Sequence, residues 1–261
     1  MQTVDDLLME HVLSGDVLMF DRRCHLCQSP AAALACMTNK RVLTSLEEED
    51  GSSSSVLGKF DHVGVVVPSP EEDEGLGEPY LLEFTPQDGV VIRPLLERLE
   101  RSRSRTVLLL PLCLPGEHRD PSSSSGGGGV LKNDERTSEK NELIRKKMDR
   151  KLRQFSLFAV RSTQQNGVGS MHSFMSIFGS LAYAFKIHET FSSIPVNPSS
   201  WVVASALQEA GIAMNVEERG ALNSKPEDFL RDHRFNEMDS VRLRPGFRFM
   251  RPIPVRENNR R

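Results

Sequence analysis

Two titratable side chains stand inside otherwise apolar stretches of the first half of the chain. His62 interrupts the run Phe60–Val67, and Glu83 lies among leucines and a phenylalanine in Tyr80–Thr85. Each group needs a hydrogen-bond partner if it is buried, so neighbouring strands could pair them, with the carboxylate orienting the imidazole. A histidine held in this way can serve as the base of a nucleophilic enzyme. On these residues alone, a structural pair without chemistry is the more common outcome.

The cysteines form a second candidate group. Cys24 and Cys27 belong to the run Arg-Arg-Cys-His-Leu-Cys at 22–27, and Cys36 follows nearby. Flanking arginines lower the pKa of a thiol, so Cys24 is an alternative nucleophile, whereas an unreactive cysteine pair in a loop is the plainer interpretation. A structural zinc site normally needs two ligand pairs, and the chain has one CxxC spacing, so zinc is not favoured.

Composition excludes several classes of protein. The chain has 261 residues and a net charge of −3, which argues against a globally basic nucleic-acid binder. Its longest apolar runs fall short of the roughly 18 residues that a membrane-spanning helix needs. The first residues are acidic where a signal peptide would be basic, and 4 cysteines are too few for a disulfide scaffold. We therefore expect an intracellular, cytoplasmic protein with reduced cysteines, no metal and no cofactor.

Three polar stretches interrupt the chain, at residues 46–55, 69–78 and 115–136. Such acidic or Gly/Ser-rich segments cannot bury enough apolar surface to offset the entropy lost on ordering, so we expect disordered insertions in one domain spanning 1–261. Residues 241–261 are interpreted as a basic tail.

Short strands are predicted before the third insertion and helices mainly after it. Runs rich in β-branched residues and bounded by turns or proline predict strands at Val17–Phe20, Phe60–Val67, Tyr80–Thr85, Gly89–Arg93 and Thr106–Leu112. Helices are predicted at Pro30–Met37, Pro94–Arg101, Glu135–Arg161, Pro198–Ala210 and Pro226–Arg231. The expected fold class is α+β, with a small antiparallel sheet packed against helices.

The long predicted helix, Glu135–Arg161, has one apolar and one basic face. Its apolar stripe consists of Ile144, Met148, Leu152, Phe155 and Ala159, which fits one buried helix side. The basic face carries Arg145, Lys146, Lys147, Arg150, Lys151 and Arg153. A solvated face is the default, and contact with a protein partner, or with an anionic surface together with the tail, is the alternative. The apolar segment Met171–Phe191 is expected to be core, or else to line an acyl-chain groove.

Several short motifs occur in a characteristic order along the chain. They are Gly-Asp-Val-Leu-Met-Phe at 15–20, Phe-Asp-His-Val-Gly-Val-Val at 60–66, Leu-Leu-Glu-Phe-Thr at 81–85, Gly-Val-Val-Ile-Arg-Pro-Leu at 89–95, Pro-Ser-Ser-Trp-Val-Val-Ala-Ser-Ala-Leu at 198–207 and Pro-Glu-Asp-Phe-Leu at 226–230. In this order, over roughly residues 14–112 and 174–230, the chain resembles the circularly permuted papain-like amidases, relatives of bacterial cell-wall peptidases and of lecithin:retinol acyltransferase. The resemblance implies a permuted papain-like fold that hydrolyses amide, peptide or ester bonds in a peptide, amide or acyl-lipid substrate. It also implies that His62 is the base, Glu83 its orienting partner and residue 199 the nucleophile.

The chain departs from this family at the nucleophile. Ser199 stands where the family has cysteine, and no cysteine follows Cys113. A thiol's pKa lies near that of imidazole, whereas a serine hydroxyl needs an adjacent base and strong oxyanion stabilisation. Three interpretations follow: an inactive site whose fold is kept for binding, a serine-dependent hydrolase using Ser199, His62 and Glu83, or a serine that replaces a natural cysteine. The first is favoured, with Trp201 filling the groove, and it predicts a pseudoenzyme that serves as a binding or structural subunit of a larger assembly.

Overall fold

A six-stranded sheet forms the centre of the protein, seen here in a computed structural model. The structure describes residues 12–27, 30–47, 60–71, 78–117, 135–165, 177–179, 181–182, 185, 193–215, 220–230 and 241–255. The strands of the central sheet are β1 (Val17–Arg22), β2 (His62–Val67), β3 (Tyr80–Thr85), β4 (Gly89–Pro94), β5 (Ser104–Leu110) and β10 (Ile253–Val255). They pair antiparallel in the order β10-β5-β1-β2-β3-β4. The α+β class with an antiparallel sheet is therefore confirmed.

Helices cover the sheet in the described part of the chain. They are α1 (Pro30–Glu47), α2 (Leu95–Glu100), α3 (Glu135–Gln165) and α4 (Pro198–Glu209). Short 3₁₀ turns lie at Cys24–Leu26, Gly220–Asn223 and Pro226–Phe229. No helix among these described residues is both long and apolar enough to cross a membrane.

The two faces of the sheet carry different cores. The helix-side core joins Val63 and Val65 of β2 to the buried faces of α3 and α4. The opposite core joins Phe20, Val66 and Leu81 to Leu95 of α2. Because side chains alternate along a strand, His62 and Gly64 face the second of these, and the His62 ring lies 5.7 Å from that of Phe20.

The predicted hairpin between β3 and β4 is present with its turn chemistry. The Asp88 N–H donates to Thr85 Oγ1 at 3.0 Å, and Gly89 follows with a φ of +71°. A left-handed φ is accessible to glycine without steric penalty, so the sequence Pro-Gln-Asp-Gly fixes this turn. The register then pairs Glu83 with Val91 across the hairpin.

The Gly-Asp pair before β1 ties two distant parts of the chain together. Asp16 is fully buried, and its carboxylate accepts the Leu112 N–H at 2.8 Å and the Leu13 N–H at 3.0 Å. The carboxylate thus satisfies backbone donors that would otherwise be buried without partners. Asp16 consequently has a structural role at the start of the sheet.

Several element boundaries differ from the sequence-based prediction. The strand predicted over Thr106–Leu112 divides at Pro111 into β5 and β6 (Leu112–Cys113), because proline has no N–H to continue a ladder. The helix predicted over Pro30–Met37 continues to Glu47 and so enters the first predicted insertion. The helix predicted over Pro226–Arg231 is a short 3₁₀ turn. Most of the three predicted insertions, and most of Met171–Phe191, lie outside the described residues.

The segment interpreted as a basic tail contributes strands to the fold. It contains β8 (Val241–Leu243), β9 (Arg248–Phe249) and β10; β8 pairs with β7 (Ala213–Asn215), and β9 pairs with β6. Prolines flank and enter β10, and prolines weaken the sequence signal for a strand. The strand was not predicted because of this weak signal. It forms nevertheless, because β10 lies at the edge of the sheet, where proline is tolerated.

Candidate functional site

His62 and Glu83 lie side by side, as their burial requirements predict. His62 Nε2 is 2.7 Å from Glu83 Oε2, and the two side chains are 3% and 0% exposed. A carboxylate can only accept a hydrogen bond, so Nε2 carries the proton and Nδ1 keeps its lone pair when the ring is neutral. Burial, and after it the positive charge of Arg22, lowers the pKa of His62. The ring is therefore a neutral, oriented group with one basic nitrogen.

Arg98 completes this cluster and was not singled out from the sequence. Its Nε donates to Glu83 Oε1 at 2.7 Å, and its guanidinium lies 4.4 Å from the centre of the Phe20 ring. Burial opposes ionisation of Glu83, but Arg98 and the hydrogen bond from His62 outweigh it and hold the pKa of Glu83 well below its usual range. The only sequence signal was an arginine on a short helix after β4, which is too common to identify a site.

Ser199 lies in the first turn of α4, against the backbone of β2. Its hydroxyl donates to Asn197 Oδ1 at 2.7 Å and accepts the Val63 N–H at 3.3 Å. Asn197 is also the N-cap of α4, since the same Oδ1 accepts the Ser200 N–H at 3.0 Å. The chain thus brings Ser199 to the residue next to His62, but its hydroxyl proton is directed to Asn197.

A cavity of about 1030 Å³ opens beside the His62–Glu83 pair. His62, Glu83 and Cys27 contribute to its wall, whereas Ser199, which is 4% exposed, is not among the described residues that line it. The charged residues of the wall are Arg22, Arg23, Glu83, Arg93, Glu97, Arg98, Glu100, Arg101 and Arg103. The cavity therefore gives access to the predicted base but not to the predicted nucleophile.

Cys24, the alternative nucleophile, forms a disulfide with Cys36. Their Cα atoms lie 5.4 Å apart, and the bond joins the 3₁₀ turn after β1 to α1. A sulfur in a disulfide has no thiolate with which to attack. Cys24 is consequently not a free nucleophile in this structure, and the expectation of reduced cysteines does not hold for this pair. The two residues are separated by 12 positions, and that spacing alone does not reveal that the chain folds back between them.

Cys27 remains a free, half-buried thiol on the cavity wall. Burial raises its pKa, and the positive charge of Arg22 opposes that shift. Within the part of the chain that the structure describes, no three His, Cys, Asp or Glu residues are arranged to hold a metal ion.

The basic face of α3 is partly used inside the molecule. Arg145 pairs with Glu117 at 2.6 Å, and Arg153 Nε donates to the Ser69 carbonyl at 2.9 Å. Lys147 and Arg150 are exposed. On the other side of the helix the predicted apolar stripe packs into the helix-side core.

The chain matches no protein-family model, and no curated protein resembles it significantly in sequence. The likeness to permuted papain-like amidases therefore depends on the motifs and their order alone and stays a prediction.

Proposed function

We propose that this chain is a binding protein that keeps the scaffold of a permuted papain-like amidase without a working nucleophile. The observation that carries the proposal is the position of Ser199, whose buried hydroxyl donates to Asn197 and lies off the cavity that reaches His62. A substrate held beside His62 would therefore not meet the Ser199 hydroxyl, the predicted nucleophile, on the same wall.

The chemistry of serine supports the same conclusion. A serine becomes a nucleophile only when an adjacent base takes its proton, and an amide oxygen such as Asn197 Oδ1 is not such a base. Asn197 is fixed as the cap of α4, so its hydrogen bond to Ser199 is part of the helix start. Attack by Ser199 would need that bond to break and a substrate to enter a site that is 4% exposed.

A serine-dependent hydrolase is the second candidate. The His62–Glu83 pair favours it, because Nδ1 of a neutral His62 is available as a base. Ser199 also lies at the N-terminus of α4, where the helix dipole stabilises negative charge. In such an enzyme, His62 Nδ1 would take the proton of the Ser199 hydroxyl, and the start of α4 would stabilise the negative charge left on the oxygen.

Labelling with a fluorophosphonate probe separates the two candidates. We expect no adduct at Ser199 in the wild-type protein, with peptides mapped by mass spectrometry and a known serine hydrolase as the positive control. An adduct at Ser199 that disappears in the His62→Ala variant would contradict the proposal and establish the hydrolase.

The Ser199→Cys variant tests access to the site independently of residue type. Because residue 199 lies off the cavity, we expect iodoacetamide to alkylate Cys27 but not the introduced thiol. Cys27, half-buried on the cavity wall, serves as the internal control for thiol labelling. His62-dependent alkylation at position 199 would show that small molecules reach the family's nucleophile position, contrary to the proposal.

A further inference from the structure

Among the described residues that line the cavity beside His62, arginine supplies every permanently cationic side chain. The described part of the wall has six arginines and three glutamates, and no lysine. Guanidinium groups keep their charge at any working pH and present paired donors that match phosphate or carboxylate oxygens. The cavity therefore offers a specific kind of hydrogen-bonding surface as well as positive charge.

Acidic partners inside the protein engage four of these arginines. Arg22 pairs with buried Asp61 at 2.6 Å and Arg98 with buried Glu83 at 2.7 Å. Both carboxylates are fully buried, so these two arginines are committed to the fold.

The other two pairs lie nearer the solvent. Arg93 pairs with Asp88, which is 52% exposed, and Arg101 with Glu97, which is 44% exposed. Ion pairs at such positions are weak and easily exchanged, so Arg101 can turn to a ligand. Arg93 also lies 3.9 Å from the buried carboxylate of Glu83, which holds it closer to the fold.

Two arginines have no such partner. Arg23 and Arg103 are exposed and form no ion pair within the described residues. Glu100, an acidic residue of the same wall, is likewise exposed and forms no ion pair there. The wall thus has unpaired guanidinium groups from two separate segments, the turn after β1 and the loop before β5.

We infer that this cavity binds a small organic molecule through a phosphate group, held by Arg23 and Arg103. A volume of about 1030 Å³ is that of a pocket for an organic molecule, much larger than one ion requires. A phosphate monoester has nearly two negative charges near neutral pH and three acceptor oxygens, so it can engage two guanidinium groups at once. A carboxylate has one negative charge and would leave one of the two guanidinium groups without a neutralising charge. The inference depends on the proposed function, because it names the class of ligand that the binding protein takes.

Calorimetric titration with phenyl phosphate tests the inference, with benzoate as the carboxylate of similar shape. We expect phenyl phosphate to bind more tightly than benzoate, and Arg23→Ala and Arg103→Ala each to weaken it about tenfold, the loss expected from a charged hydrogen bond. Arg105→Ala is the matched control, since Arg105 is an exposed arginine on β5 outside the cavity. An absence of binding, equal binding of benzoate, or an equal loss in Arg105→Ala would overturn the inference.

Alkylation of Cys27 gives a second readout that needs no ligand. Iodoacetate is an anion and iodoacetamide is neutral, and with each the Cys27 thiolate displaces iodide. The ratio of the two rates at Cys27 should be several-fold higher in the folded protein than in urea, because positive potential concentrates the anion. Arg103→Ala and phenyl phosphate should each lower that ratio. A ratio unchanged by folding would contradict an anion-attracting cavity.

These outcomes are distinguishable from failure of the proposed function. Loss of phosphate binding, with no adduct at Ser199, overturns the ligand class alone. A His62-dependent adduct at Ser199 overturns the proposed function whatever the calorimetry shows.

Discussion

Two side chains, Glu83 and behind it Arg98, fix the ring of His62. Arg98 holds one oxygen of Glu83 at 2.7 Å, and the other oxygen lies 2.7 Å from His62 Nε2. Buried charges are tolerated only when they are paired and hydrogen-bonded, and here the ion pair between Arg98 and Glu83 meets that condition. The arrangement leaves His62 without a charge of its own, which makes the fold sensitive to its protonation.

We predict that His62 makes the protein less stable in mild acid. Because its pKa is lowered by burial and by Arg22, the unfolded chain takes up a proton near pH 6.5 while the folded chain does not. The free energy of unfolding should therefore fall as the pH drops below about 6.5, by up to about 1.4 kcal/mol per pH unit from this residue. Urea unfolding at a series of pH values would show a steeper fall in the wild type than in His62→Gln.

Glu83 does not interfere with that measurement. Its pKa is lowered in the fold, so its stabilising contribution is present above its unfolded pKa, about 4.3, and is lost only as the pH falls further. Equal slopes for wild type and His62→Gln between about pH 7 and pH 5.5 would contradict the prediction.

The segment after β1 forms one wall of the cavity through its connection to α1. The disulfide joins Cys24 to Cys36, and Lys40 of α1 forms an ion pair with Asp21 at the end of β1. Arg22, Arg23, Cys27 and Ala32 on this wall belong to the same connected unit. The disulfide is the covalent bond of this unit, and a reductant can break it without substituting any residue.

Reduction of this disulfide should lower the free energy of unfolding by about 2–3 kcal/mol. The bond closes a loop with a sequence separation of 12, and a loop of this size restricts the unfolded chain by roughly that amount. Urea unfolding with and without a phosphine reductant measures the effect. The double variant Cys24→Ser/Cys36→Ser is the control and should not respond, and a wild type that is equally insensitive would contradict the prediction.

The C-terminal strand closes one side of the molecule. Ile253 pairs with Leu109 and Val255 with Val107, and these residues belong to the opposite core. β10, the last strand in sequence among the described residues, thus covers β5, which lies more than 100 positions before it. We therefore expect this segment to contribute to the stability of the sheet.

A chain that ends at Met250 should lose about 2–4 kcal/mol of stability, because the partly buried Ile253 and the buried Val255 no longer cover β5. A chain that ends at Val255 retains β10 and is the matched control. Urea unfolding reports the difference, and hydrogen exchange at Val107 and Leu109 should quicken only in the shorter chain. Equal stability of the two chains would mean that β10 adds nothing to the fold.

Local patterns were sufficient to predict β3, the hairpin to β4 and the apolar stripe of α3. They were also sufficient for the pairing of His62 with Glu83, because two lone polar groups in apolar strands have few other partners. The disulfide, Arg98 and β10 escaped prediction because each depends on which distant segments meet. The direction of the Ser199 hydroxyl escaped for a related reason, since it is decided by Asn197 acting as a helix cap.

Proline occurs in both border strands of the central sheet, a feature that concerns the protein in concentrated solution. β4 ends with Pro94 and β10 contains Pro254, and these two strands lie at the ends of the strand order. A proline has no amide hydrogen to offer to an incoming strand, and natural sheets use it to block edge-to-edge pairing. Among the described residues, each border strand of this sheet therefore contains a position that cannot donate to an added strand, which opposes edge-to-edge pairing with a second chain.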